Sequence, residues 1–214
     1  NPNDYWKEEY FKLDSNYFLR EIKIAKDLLK YKPGMKALDI GGGIGKAHLA
    51  LTKSGFETTS IEPSESFRKL AIEKYNIPGN KYLLSSIEDA KLEENYFDFI
   101  TFGAVLEHLN NPSESISKAM KWLKPGGLIQ IEVPSSKHLI AKIYNLFFKL
   151  RGTNYVTNLS PMHEPFHLYE FGLKSFKEHS KTNSYEIAYF EYLVCSIYNI
   201  PKILHPALKL IMKK

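Results

Sequence analysis

The stretch Lys36-Ala37-Leu38-Asp39-Ile40-Gly41-Gly42-Gly43-Ile44-Gly45 decides the fold. Ala37 to Ile40 is an apolar run of strand length, and Ala47 to Leu51, beyond the glycines, alternates as a helix does. The glycines between them answer two needs. A turn this tight calls for positive φ, and a loop that lets a ligand reach the main chain has no room for side chains. The helix that follows offers unpaired N–H groups. The expectation is a strand, a loop that cradles a nucleotide, and a helix. Spacing separates two ligand classes: the dinucleotide fingerprint G-x-G-x-x-G puts its third glycine where this chain has Lys46, whereas here glycines stand at 41, 43 and 45 behind Asp39, a D-x-G-x-G-x-G pattern.

On that pattern the chain resembles the class I S-adenosylmethionine-dependent methyltransferases, whose first motif has this form and whose next strand ends in an acid. Ile61-Glu62-Pro63 supplies the acid, 23 residues after Asp39, where a βαβ unit places a ribose-binding carboxylate. A carboxylate there can accept both ribose hydroxyls. Phe97-Asp98, Leu106-Glu107-His108 and Leu123-Lys124-Pro125-Gly126-Gly127 match the family's later motifs in order and spacing. The resemblance implies S-adenosylmethionine as cofactor, held by Asp39, Gly41, Gly43, Gly45 and Glu62. It places the adenine at Ser85-Ser86-Ile87-Glu88-Asp89, where Ser86 or Glu88 could accept from the exocyclic amine while Ile87 packs on the ring; an ordinary strand-end loop is the alternative.

Composition bounds the rest. A chain of 214 residues suffices for one α/β domain with a full core. The single cysteine, Cys195, excludes an internal disulfide framework and fits a reducing, cytoplasmic setting. The chain shows no signal peptide and no run of about 20 apolar residues such as a spanning helix needs. It lacks an initiator methionine, consistent with a processed or trimmed product. The net charge of +5 is a modest excess, and without a basic-aromatic stripe it weighs against nucleic acid as partner.

Strands alternating with helices from residue 36 to 135 imply a doubly wound, mostly parallel Rossmann-like sheet with helices on both faces and ligand at the carboxyl ends of the strands. The expected organisation is a single domain: a helical cap over 1–35, the cofactor-binding core over 36–135, a lid or acceptor insertion over 136–171, and a C-terminal helix, strand and basic tail over 172–214. Tyr5, Trp6 and Tyr10 in the cap either touch the cofactor or pack on the sheet edge. Ser64 is a plausible cap for a helix reaching Tyr75. Ser136 to Arg151 reads as an amphipathic helix. Tyr144, Phe147, Phe148 and Tyr155 could then roof a pocket. Only one terminal strand, Tyr185 to Leu193, is clear, with Ser196 to Ile200 as a candidate second. Ile200, Ile203, Leu204, Ala207, Leu208 and Ile211 share one face of the tail, and Lys202, Lys209, Lys213 and Lys214 make it basic. Such a tail either packs on the core or rests on anionic lipid as an interfacial helix does, at the inner face of the membrane.

Methyl transfer from a sulfonium is an in-line displacement, so holding the acceptor close and excluding water does much of the work. A base is needed where an acceptor hydroxyl must lose its proton. His108, just past the end of the central strand, has the chemistry for it. His167, in Pro161-Met162-His163-Glu164-Pro165-Phe166-His167-Leu168-Tyr169-Glu170-Phe171, is expected to converge with it as orienting partner, while His163 is expected to be inert. The segment from His167 to Phe171 resembles one in a broad bacterial methyltransferase subfamily of envelope-polysaccharide and lipid pathways. A similar histidine occurs in small-RNA 3′-terminal 2′-O-methyltransferases, where two glutamates and two histidines bind a divalent metal. Glu107, His108 and His167 match three of those positions, but the fourth is Ala104; the lost carboxylate removes an oxygen ligand that Mg²⁺ favours and argues against a metal, while three ligands plus water could still hold Zn²⁺ or Mn²⁺. The reading is a methyltransferase acting on an oxygen of a small molecule: an envelope-glycan sugar, or a lipid-linked or quinone-like intermediate. The alternatives are RNA 2′-O-methylation and a binding module without turnover.

Overall fold

A computed structural model describes residues 17–135, 139–156, 159, 166–194 and 206–214. Helix α1 (Leu19–Leu29) leads into β1 (Lys36–Ile40), α2 (Lys46–Lys53), β2 (Glu57–Glu62), α3 (Glu65–Tyr75), β3 (Tyr82–Leu84), β4 (Phe97–Gly103), α4 (Pro112–Trp122) and β5 (Leu123–Pro134). Then come α5 (Leu139–Leu150), α6 (Leu173–Ser180), β6 (Glu186–Val194) and β7 (Pro206–Lys213). Local chemistry sets several of these boundaries. The Ser64 side chain accepts from the Phe67 N–H, capping α3 as expected. Asn111 does the same for α4 from the Glu114 N–H, with Pro112 in the first turn, where its missing N–H costs nothing.

The seven strands lie in the order β3-β2-β1-β4-β5-β7-β6. β1 to β5 are mutually parallel, and β7 runs antiparallel to both β5 and β6. β5 begins earlier than the run Leu128 to Val133 suggests: Leu123 already pairs with Phe97, and the Pro-Gly-Gly turn is absorbed as an irregularity before Leu128 meets Phe99. Both faces of the sheet are covered, as a doubly wound fold requires. On one face Ile116, Ala119 and Trp122 of α4 and Phe176 of α6 close over Ile100, Phe102, Ile129 and Ile131. On the other, Ile22 and Ala25 of α1 and Leu51 of α2 meet Phe99, Leu128 and Ile211. The strand order reverses between β1 and β4, so the loops leaving those two strands share the edge where such folds bind ligands.

The C-terminal tail is the main correction. Residues 206–213 do not form an interfacial helix; they are β7, an interior strand, and the second terminal strand is this one. Leu210, Ile211 and Met212 are consecutively buried. A strand covered on both faces reads as a continuous apolar run, which periodicity cannot tell from a short helix. Two of the lysines counted toward a lipid-binding face are committed elsewhere: Lys209 pairs with Glu21 and with Glu132, and Lys214 donates to the Met120 carbonyl. Ser196 to Ile200, Lys202, Cys195, His163, Tyr5, Trp6 and Tyr10 lie outside the described residues.

Candidate active site

The glycine loop adopts the expected backbone. Gly41, Gly43 and Gly45 have φ of 69°, 53° and 85°, all left-handed. At Gly41 a second constraint is added, because a Cβ would lie 2.6 Å from Val105 Cγ2, in the loop after β4. Gly42, which the spacing argument passes over, is as tightly held: a Cβ there would lie 2.3 Å from the Tyr82 hydroxyl. That hydroxyl donates to the Gly43 carbonyl at 2.9 Å. The Gly41 and Gly42 N–H groups both donate to the Ile61 carbonyl, at 2.9 and 3.1 Å, pinning the loop to the end of β2.

Glu62 completes this cradle. Its Oε2 accepts from the Gly43 N–H and its Oε1 from the Ser64 N–H, each at 2.8 Å. Each carboxylate oxygen has two lone pairs, so one on each remains for a ligand's hydroxyl. Burial pushes the Glu62 carboxyl up in pKa, and the two backbone N–H groups oppose that shift. The site thus holds an oriented acceptor pair beside a stretch of main chain without side chains, a fit for a nucleoside. Ser85 N–H donates to the Glu62 carbonyl at 3.1 Å, which brings the loop after β3 alongside. In that loop the Ser86 hydroxyl donates to Asp89 Oδ2 and accepts from the Asp89 N–H, closing a local turn, and Ile87 is packed into the main core.

Asp39 sits beneath the loop rather than in it. Its carboxyl is buried and raised to about 7, chiefly by desolvation. Ser60 Oγ donates to Asp39 Oδ2 at 3.3 Å, and His48 Nδ1 lies 2.8 Å from the same hydroxyl. Ser60 has one proton, so His48 Nδ1 is the donor in that pair. Burial lowers His48 to about 4, keeping the ring neutral. This His48-Ser60-Asp39 chain ties α2 and β2 to β1 under the glycines. Ser60 and His48 had no sequence signal, since their partners are distant along the chain.

The second half of the site follows β4. Ala104 takes a left-handed φ of 55°, rare for a residue with a Cβ, and turns the chain into the tight helical turn Leu106–His108. Glu107 is 1% exposed, and burial raises its carboxyl to about 7. Among the described residues, its Oε2 has no hydrogen-bond partner. Leu168 N–H donates to the Glu107 carbonyl at 2.8 Å, and His108 Nδ1 lies 2.9 Å from the Phe166 carbonyl. A carbonyl only accepts, so Nδ1 carries the hydrogen and the lone pair of the neutral ring is on Nε2, 4.0 Å from Glu107 Oε1. His108 and His167 converge as expected, with ring centroids 4.9 Å apart. Glu107, His108 and His167 each offer one ligand atom, all within 4.8 Å of one another, a set with the donors for a metal ion. In the insertion, Phe148 packs edge-on against Phe147 and Tyr155, at 5.7 and 4.8 Å.

A methyltransferase-domain family model matches residues 38–131, a span that holds the glycine loop, Glu62 and the Glu107-His108 turn but not Phe166, His167 or Leu168. Over that span the chain matches a methyltransferase domain, in line with the expected class I S-adenosylmethionine-dependent methyltransferase core. It is 32% identical over 125 residues to a ubiquinone/menaquinone biosynthesis C-methyltransferase of Shewanella pealeana, a match covering 54% of this chain and 50% of that protein. The chain therefore spans about half the length of this relative. Its fold is that of an S-adenosylmethionine-dependent methyltransferase of Methanosarcina mazei, with a TM-score of 0.70, 20% identity, and coverage of 89% of this chain and 96% of the other. The Haemonchus contortus phosphoethanolamine N-methyltransferase 2, solved with phosphomonomethylethanolamine and S-adenosylhomocysteine, superposes with a TM-score of 0.62 at 15% identity, over 92% of this chain and 52% of that one. S-adenosylmethionine is thus the methyl donor of the family, and the glycine cradle and Glu62 fit it.

Proposed function

We propose that this methyltransferase transfers the methyl group to an oxygen of a small-molecule acceptor, with His108 as the base. One observation carries the reading: the Phe166 carbonyl holds the Nδ1–H of His108 and so presents Nε2 with its lone pair, on a side chain that is 36% exposed, beside a buried carboxylate. S-adenosylmethionine supplies an electrophilic methyl on a sulfonium. Gly41, Gly43 and Gly45 give the donor a bare main chain to lie on, Glu62 takes its ribose hydroxyls, and Asp39 braces the loop from below through Ser60. Ser86 and Ile87 border the adenine position. His108 Nε2 takes the acceptor's hydroxyl proton as that oxygen bonds to the methyl carbon; the methyl–sulfur bond breaks, leaving S-adenosylhomocysteine, an ether and protonated His108. Glu107 stabilises the imidazolium, and His167 orients the ring.

Carbon methylation is the second reading, supported by the C-methyltransferase from Shewanella pealeana. Removing a phenolic proton activates the ring carbon as well as the oxygen, so the same base serves both. The test uses methyl-labelled donor and a panel of phenols, quinols and sugars, with S-adenosylhomocysteine formation as readout. Product NMR then separates methoxy from ring methyl. His108→Ala is expected to slow turnover about 100-fold or more, the usual scale for a general base, with S-adenosylhomocysteine affinity unchanged within about twofold. Unchanged turnover would remove His108 from the mechanism.

A further inference from the structure

We propose that helix α5 seats this domain on the surface of an anionic lipid bilayer, with the mouth of the active site facing the lipid. Ile143, Leu146, Phe147 and Leu150 fall at i, i+3, i+4 and i+7, one face of a helix, and all four are exposed, Leu150 by 80%. Successive residues turn 100° about the axis, so Lys142 and Lys149 border this face on one side, and Arg151 and Tyr144 on the other. The opposite side is anchored through Ala141, which is buried, and through Phe148 against Tyr155. Apolar stripe, flanking cations and buried back are the layout of a helix lying in a membrane interface.

Charge selects the occupant. From Val133 to His163 the sequence has no Asp or Glu but carries Lys137, Lys142, Lys149 and Arg151. A protein partner that buried this stripe would need a matching acidic rim around an apolar groove, whereas an anionic bilayer supplies both at once. Topology gives the orientation. β5 is parallel to β1 and β4, so the chain leaves it toward α5 on the edge that holds the Gly41–Gly45 loop and the Glu107-His108 turn. The basic C-terminal residues are not this surface, since β7 is inside the sheet. Resting on the proposed function, the inference narrows the acceptor to a molecule dissolved in the bilayer, its hydroxyl near the headgroups. Among the described residues no helix is long and apolar enough to cross a membrane, so the contact is peripheral.

The experiment is co-sedimentation of the purified chain with vesicles of phosphatidylcholine alone and of phosphatidylcholine mixed with phosphatidylglycerol. The protein is expected to pellet with the mixed vesicles, far less with the neutral ones, and to be released by added salt. Leu146→Glu/Leu150→Glu is expected to cut pelleting more than tenfold. Both positions are exposed, so its melting temperature and S-adenosylhomocysteine affinity should match wild type. Lys142→Gln/Lys149→Gln should weaken binding roughly fivefold for each charge removed. No pelleting with anionic vesicles, or pelleting that the leucine variant leaves intact, overturns the proposal. A wild-type dimer that this variant makes monomeric, without vesicle binding, would assign the face to a second copy and also overturn it. None of these readouts requires turnover, so failure here and failure of the proposed chemistry are distinguishable.

Discussion

Gly42 and Tyr82 are fitted to one another across the strand order. The glycine lacks the carbon that would meet the phenol oxygen at 2.3 Å, and the phenol uses that space to donate to the next carbonyl. Gly42→Ala must push the ring or the loop aside, and it is expected to weaken S-adenosylhomocysteine binding at least tenfold by calorimetry. Tyr82→Phe removes one hydrogen bond, for about 1 kcal/mol of stability. The double variant should bind better than Gly42→Ala alone, because the oxygen nearest the new methyl is gone. If Gly42→Ala binds as wild type does, the contact does not shape the cradle.

Glu62 holds the loop and, under the proposed function, the ribose as well. Glu62→Ala should weaken S-adenosylhomocysteine by about 1.5–3 kcal/mol, the scale of hydrogen bonds to a charged group. Burial favours the protonated form of this carboxyl. Affinity should therefore fall as pH drops through its raised pKa, and Glu62→Ala should flatten that dependence. A pH profile that is the same in both proteins would place the titrating group elsewhere.

Asp39 gives a stability signature of opposite sense to an ordinary salt-bridged carboxylate. Its folded pKa of about 7 exceeds the ordinary aspartate value of 3.8, so between these limits the folded state binds more protons than the unfolded one. The stability it supports is complete below about pH 4 and is lost as pH rises toward 7. His48, lowered to about 4 from 6.5, works the other way, favouring the fold as pH rises through that window. Asp39→Asn removes the first effect and leaves the second. Urea midpoints should rise from pH 5 to pH 7 more steeply in the variant than in wild type. Parallel profiles would mean that Asp39 is charged when buried.

Lys209 stands between Glu21 of α1 and Glu132 of β5 with its side chain only 16% exposed. Lys209→Met leaves two carboxylates facing each other with little water, and it should cost about 2–4 kcal/mol in urea unfolding, near the range for breaking a buried ion pair. Adding Glu21→Gln and Glu132→Gln should recover most of that loss. No recovery would assign the cost to packing instead.

What could be read from the sequence follows the reach of the interactions. The glycine loop, the Ser64 cap, the Glu62 strand end and the helix from Pro112 are set by residues a few positions apart, and they are where the reading put them. Convergence of His108 with His167 was legible only through family resemblance. Tyr82 on Gly42, and His48 through Ser60 on Asp39, join residues 12 to 40 positions apart by contacts that leave no periodic trace. β7 was misread for a related reason: its partners are β5 and β6, and an apolar run carries no record of what flanks it.

That strand also orders events in time. β6 is synthesised before β7, yet it has no neighbour in the finished sheet until β7 arrives to separate it from β5. While the chain is emerging, the free edge of β5, rich in Ile129, Ile131 and Val133, is therefore open to any strand that reaches it first. Of the seven strands, the last to be synthesised is the one that seals the sheet. Substitutions in residues 206–213 should thus show up as lost soluble yield before they show up as lost affinity for the methyl donor.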